Sequence, residues 1–259
     1  MRLSQSNLKL LDSCPRKFQY LYLDQYPVPV GLEQVERMQE GSQFHQLMQQ
    51  HALGLQIAPL LAADAKLATW FNAFESSRSQ ILQLSENEQI LWQQSEHLRT
   101  IARQGHVLTV VYDWVMLGAT QGQILDWKTY PKPRQAQYLE QEWQTLLYLY
   151  VLAETTQLVP DQLAMTYWFF QGAAAELQSV RIRYSRQQHS AVQQRLDQLL
   201  RQLTQWLEDY QAQRRDLPQI DRAKSLCETC PFAQRCGRSL PESEVGPAIA
   251  WDAIAEVPI

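Results

Sequence analysis

The chain has 259 residues with 23 Lys+Arg against 27 Asp+Glu, a formal net charge of −4, 45% apolar residues and 4 cysteines. Such a composition supports a substantial core and excludes a disordered, fibrous or disulfide-scaffolded protein. No run approaches the roughly 18 apolar residues of a membrane helix, and the first residues mix polar and charged groups where a signal peptide needs an apolar block, so a soluble, cytoplasmic protein without membrane contact is expected.

Apolar residues Leu8, Leu11, Phe18, Leu21 and Tyr22 predict a helix over 4–23, which YPVPVG at 26–31 ends because two prolines and a glycine cannot continue it. Helices are expected again over 34–55 and 61–75. The pattern then changes: 90–92, the alternating run 105–117 and 123–130 read as successive strands separated by glycine-containing turns. A helix over 137–154, strands at 163–170 and 177–184, and a long amphipathic helix over 185–215 follow. The expected organisation is a mixed α/β domain over 1–240, with a helical part to 88, a core over 89–184, and a long helix with a cysteine-rich segment over 185–240; 241–259 is a tail.

Charge limits how this chain can meet nucleic acid, because phosphate neutralisation needs a basic surplus. Residues 214–238 supply one locally, with Arg214, Arg215, Arg222, Lys224, Arg235 and Arg238 against Asp216, Asp221 and Glu228. A solvated helix end followed by a loop would give the same pattern.

Asp126 and Lys128 are two apart on a predicted strand and leave the same face. One strand earlier, Asp113 interrupts an apolar run, where an unpaired charge is expensive. In an antiparallel meander Asp113 and Asp126 approach one another and form the hard oxygen site that Mg²⁺ or Mn²⁺ prefers, with Lys128 beside it. A simple salt bridge at a sheet edge is the alternative. Gln144 and Tyr148, spaced i, i+4, share one face of the next helix. His45 follows Gly41 by about one turn, and Gly41 leaves room for another backbone to approach. Glu96 is a further carboxylate on the first strand. The cysteines carry the most specific spacing: Cys227, Cys230 and Cys236 form C-x2-C-x5-C, and Cys14 lies near the other end of the chain. Three clustered thiols and one distant thiol suit a closed site for Zn²⁺ or a [4Fe-4S] cluster that staples the first helix to the end of the domain.

Taken in order, Ser4 to Phe18 with Cys14, Gly41 to His45, Asp113, Asp126-Trp127-Lys128, Gln144 to Tyr148 and C-x2-C-x5-C resemble the PD-(D/E)XK nuclease superfamily. The resemblance is strongest to its RecB-like branch with an iron-sulfur cluster, which includes the AddB nuclease domain and CRISPR-associated nucleases. It implies a restriction-endonuclease-like core, a central mixed sheet flanked by helices. It implies a metal-dependent deoxyribonuclease acting on single-stranded DNA or DNA ends, in repair, recombination or CRISPR adaptation, with a helicase or another protein of those systems as partner. Carried over by position, His45, Asp113, Asp126 and the Trp127 carbonyl become ligands of Mg²⁺ or Mn²⁺, Lys128 the catalytic lysine, and Gln144 and Tyr148 orienting groups. Cys14, Cys227, Cys230 and Cys236 become ligands of a [4Fe-4S] cluster. Two departures stand out: Asp126 replaces the Glu of many relatives, and Val110 stands where glycine is frequent and would crowd the approach to Asp113. Two other functions share these features: a non-catalytic iron-sulfur DNA-binding or assembly subunit of a nuclease-helicase complex, and a zinc-stabilised protein unrelated to DNA.

Overall fold

The computed structural model describes residues 1–28, 31–85, 88–132, 136–171, 177–213, 215–221 and 225–238. The expected tail over 241–259, and Arg134, Arg214, Arg222 and Lys224, lie outside them. Strand β1 (Arg2–Leu3) leads into helix α1 (Gln5–Ser13), where Ser4 and Asn7 form a capping box. The single helix expected over 4–23 is broken at Cys14, which is extended (φ −159°, ψ 99°) because the residue before a proline is pushed out of the helical region. Pro15 then opens the four-residue helix α2 (Pro15–Phe18), and one π-helical turn (Gln19–Leu23) follows.

Helix α3 (Leu32–Ala52) agrees with the sequence pattern. The next expected helix is two, α4 (Ala58–Ala63) and α5 (Ala65–Ile81). Asp64 separates them and caps α5 by accepting the Lys66 and Leu67 N–H groups at 2.8 and 3.0 Å. The strands β2 (Trp92–Arg103) and β3 (His106–Leu117) form a hairpin whose two-residue turn, Gln104-Gly105, has positive φ at both positions. Strand β4 (Gly122–Lys128), helix α6 (Trp143–Glu154), strands β5 (Leu163–Phe169) and β6 (Gln178–Arg183) and the long helix α7 (Arg186–Gln213) complete the framework.

The described strands form one mixed sheet in the order β1-β3-β4-β5-β6, with β2 along the other edge of β3. Strands β4 and β5 are parallel and joined through α6, and both are almost wholly buried, as a parallel pair covered on both faces requires. One core lies against α1, α6 and α7, where Val192, Leu196, Leu199, Leu200 and Leu203 follow helical spacing along α7. A second core joins the sheet to α3 and α5 through Phe44, Leu47, Trp70, Phe74 and Trp127. This is the mixed, helix-flanked sheet expected. Among the described residues no helix is long and apolar enough to cross a membrane.

The two ends of the chain are tied together by polar groups. Buried Gln19 accepts the Leu217 N–H at 2.7 Å and donates to Asp216 at 2.8 Å, while Arg16 donates to the Leu217 carbonyl at 2.6 Å and pairs with Asp216 at 2.8 Å. Removing one partner of a buried hydrogen bond costs about 1–3 kcal/mol, because the other is left dry and unpaired. Gln19→Ala is therefore expected to lower the thermal midpoint by several degrees, read by circular dichroism against a surface control such as Gln49→Ala.

Candidate active site

Alternation along β3 changes phase at Asp113. Leu108, Val110 and Tyr112 belong to the core under α6, whereas Trp114 and Met116 belong to the core under α3 and α5. Val110 thus faces the first core and packs away from solvent, so it does not crowd Asp113. The β2–β3 register is the same on both sides of the irregularity, Ser95↔Trp114 and His97↔Tyr112, which sets Glu96 opposite Asp113. Glu96 has φ +47°, a left-handed conformation that costs a residue with a Cβ of order 1–3 kcal/mol. On the other edge the β3–β4 ladder ends at Trp114↔Leu125, one rung before Asp113 and Asp126 would face each other. Three carboxylates, Glu96, Asp113 and Asp126, thus occupy adjacent rung positions on three strands. The backbone pairing is interrupted on both sides of Asp113, where like charges opposed across a sheet are unfavourable.

Each carboxylate has its own partners. Asp113 Oδ2 accepts the Trp127 N–H at 2.7 Å, and Asp113 Oδ1 lies 3.3 Å from His45 Nδ1 on α3. Glu96 Oε1 lies 3.6 Å from the same nitrogen. His45, Glu96 and Asp113 therefore offer three donor atoms close enough together to hold one cation. Asp126, 1% exposed, turns toward Lys128, with Oδ2 and Nζ 2.6 Å apart. Gln144 on α6 bridges the pair: its carbonyl accepts from Lys128 at 2.9 Å and its amide donates to Asp126 Oδ1. The Tyr112 hydroxyl donates to the Tyr148 carbonyl at 3.1 Å and anchors α6 over the sheet. Helix α3 approaches the end of β4 closely at Gly41, where a Cβ would meet the Thr129 Oγ1, a side chain rather than a backbone, at 3.3 Å.

The electrostatics follow from that packing. Burial acts to lower the His45 pKa, but hydrogen bonds to Asp113 and Glu96 outweigh it and raise the group to about 10. Burial raises Asp126, Asp113 raises it further, and Lys128 opposes both. Lys128 is itself held up by Asp126 against the opposing effect of burial. The Tyr148 hydroxyl is pushed up by burial first and then by Asp126 and Asp113, which places it in their field. Asp126 Oδ2 is buried against the Lys128 ammonium, and its Oδ1 accepts from the Gln144 amide. The nitrogen and carboxylate oxygens that His45, Glu96 and Asp113 gather beside it suit a divalent cation.

The sequence-predicted residues Asp113, Asp126, Lys128, Gln144 and His45 come together where the pairing of β3 with β4 ends. The Trp127 ring faces away into the second core, against Phe74 and Phe170, while its N–H serves Asp113. Glu96 belongs to the tight cation-holding group and Asp126 stands outside it. Counting back from the Gln104-Gly105 turn, which pairs Arg103 with His106, sets Glu96 opposite Asp113 and is the signal that finds it.

A family model described as the PD-(D/E)XK nuclease superfamily matches residues 2–237. The chain belongs to the PD-(D/E)XK nuclease superfamily. A crystal structure of a "putative exonuclease" from Eubacterium rectale is similar to this PD-(D/E)XK protein with a TM-score of 0.54 over 93% of this chain and 90% of that one, at 12% identity, a likeness of fold. SSO0001 matches over 93% of this chain and 87% of its own at 12% identity, with a TM-score of 0.35. No curated protein matches the chain in sequence. PD-(D/E)XK nucleases use divalent metal ions, and the His45, Glu96 and Asp113 group has the donor chemistry for one.

The four cysteines are free thiols, each half-buried. Cys14 Sγ caps α2 by accepting the Lys17 N–H at 3.4 Å, and Arg238 donates to Cys227 Sγ at 3.1 Å. Burial raises the Cys236 thiol, and the charges of Cys14 and Cys230 add to it, so the thiols from both chain ends share one neighbourhood. Phe232 seats the segment on Tyr20, with ring centroids 5.1 Å apart, and Arg235 stacks 4.0 Å over Tyr26. Arg235 and Arg238 of the basic segment are thereby engaged within the protein.

The His45 shift carries a pH signature. A folded-state pKa of about 10 lies above the usual unfolded value of about 6.5, so the stabilisation is full below pH 6.5 and is lost as pH rises through 10. The metal-free protein should lose thermal stability across that window, and His45→Gln should flatten the loss, measured by calorimetry in EDTA.

Proposed function

We propose that this protein is a divalent-metal-dependent deoxyribonuclease of the RecB-like, iron-sulfur branch of the superfamily, hydrolysing phosphodiester bonds in DNA repair, recombination or CRISPR adaptation. The observation that carries the reading is the row Glu96, Asp113 and Asp126, with Lys128 beside it, where strand pairing is interrupted on both sides of β3. His45, Asp113 and Asp126, joined by Glu96 and the Trp127 carbonyl, would hold Mg²⁺ or Mn²⁺. A bound divalent ion supplies Lewis-acid polarisation of the scissile phosphate and a lowered pKa for the attacking water. The chain's own groups do the rest. The Lys128 ammonium, kept charged by Asp126, positions the water and offsets charge that develops on the phosphate. Gln144 fixes the lysine and the carboxylate relative to each other. Tyr148 stays protonated and can donate to the strand.

Cys14, Cys227, Cys230 and Cys236 would hold the [4Fe-4S] cluster. The C-x2-C-x5-C spacing and the nearness of Cys14 and Cys230 to Cys236 support one site on thiols from both chain ends. The cluster's place beside the strap between the chain ends makes its role architectural.

End-labelled DNA incubated with anaerobically prepared protein should be cut in Mn²⁺ or Mg²⁺ and not in EDTA. Asp126→Asn and Lys128→Ala should each lower the rate by about 10²- to 10³-fold; equal rates in wild type and both variants would remove the assignment. The same preparation should contain iron and acid-labile sulfide in equal amounts with broad visible absorbance, lost in Cys230→Ser. Stoichiometric zinc without iron would replace the cluster by a structural metal.

A further inference from the structure

The site has three tyrosines about it, and they differ in kind. Tyr148 and Tyr167 are buried, and the Tyr167 hydroxyl bonds Thr145 at 2.7 Å. Tyr130, two residues beyond Lys128, is 41% exposed, and its hydroxyl has no hydrogen-bond partner among the described residues. Its ring is held by Phe169, at 5.8 Å between centroids and tilted 69°, and lies 6.0 Å from the Lys128 Nζ. Pro131 follows and disfavours helical backbone at Tyr130, just beyond the end of β4. A core role explains neither the exposure nor the unbonded hydroxyl.

Tyr130 and Pro131 line one side of a cleft of about 500 Å³ beside the site, and Glu33, Glu36, Glu40 and Lys66 line the rest with Arg37 and Thr129. Glu40 pairs with Lys66 at 2.6 Å and Glu33 with Arg37 at 3.8 Å, whereas Glu36 has no ion pair among the described residues. Glu36, outside those ion pairs, can accept hydrogen bonds from the amino groups of a base. The cleft therefore offers a base an aromatic ring in Tyr130 and a carboxylate for its edge.

Resting on the nuclease reading above, we propose that this cleft receives an unpaired base next to the scissile phosphate, stacked on Tyr130. A paired base is already stacked within its duplex and cannot enter without being extruded, which costs unstacking and unpairing energy. Aromatic stacking on a protein ring is tolerant of sequence and suits a strand-selective, base-indifferent site.

The test compares wild type, Tyr130→Phe, Tyr130→Leu and Tyr130→Ala on an end-labelled single strand and on the same strand in a blunt duplex. Tyr130→Phe should hold KM on the single strand within about two-fold, and Tyr130→Leu and Tyr130→Ala should raise it about ten-fold, with kcat unchanged and the duplex rate unaffected. A fall in kcat on both DNAs would mean that the ring serves only to support Lys128, and unchanged KM in Tyr130→Ala would remove the cleft as a base site; either result overturns the proposal. A binding arm separates this from the nuclease assignment. In EDTA, a single strand carrying 2-aminopurine should change fluorescence on wild-type and Tyr130→Phe protein and not on Tyr130→Leu. If no DNA is cut the nuclease reading fails, and the fluorescence result alone then decides whether Tyr130 stacks a base.

Discussion

Taking a carboxylate and an ammonium out of water together is the constraint around which the rest of this structure is arranged. Asp126 and Lys128 are both largely buried, and an ion pair in that position is tolerable only when its remaining polar atoms are met. The amide of Gln144 meets them from both ends, and this requires α6 to cross the sheet at one height. The Tyr112 hydroxyl bonded to the Tyr148 carbonyl, and Thr145 bonded to Tyr167 and the Leu139 carbonyl, hold the helix there. The site is thus rigid in its frame, and beside the pair, His45, Glu96 and Asp113 turn their donor atoms toward one point, a combination that favours a ligand over further packing.

Much of this was legible in the sequence because it depends on local periodicity. The run 105–117 alternates, 137–154 and 185–215 follow helical spacing, and Asp126 with Lys128 share a face by strand geometry alone. Strand β2 was largely hidden, since Gln93, Gln94, Ser95, Glu96, Arg99 and Arg103 give an edge strand no apolar signature; its partner β3 supplies the reason for it to be extended. The break at Cys14 was also missed, because the apolar spacing of Leu8, Leu11 and Phe18 runs through it and only Pro15 marks it. What no periodicity could supply was the phase change at Asp113, which arises from two cores competing for one strand.

That competition gives β3 an unusual position. Its even-numbered residues face the core under α6 and α7 up to Tyr112 and the core under α3 and α5 from Trp114, and the carboxylate that serves His45 and the Trp127 N–H sits at the changeover. The left-handed backbone of Glu96 absorbs the same irregularity on the neighbouring strand. Strain and charge are concentrated where a ligand can repay both.

The strap between the chain ends has its own consequence. Gln19, Arg16, Asp216 and the backbone of Leu217 and Pro218 close the molecule through amide, guanidinium and carboxylate groups, none of which responds to oxygen. The thiols lie next to this closure and are not part of it. Redox chemistry at the four sulfurs therefore reaches a surface beside the strap, while the hydrogen bonds that join the ends of the polypeptide run through groups that oxygen leaves unchanged.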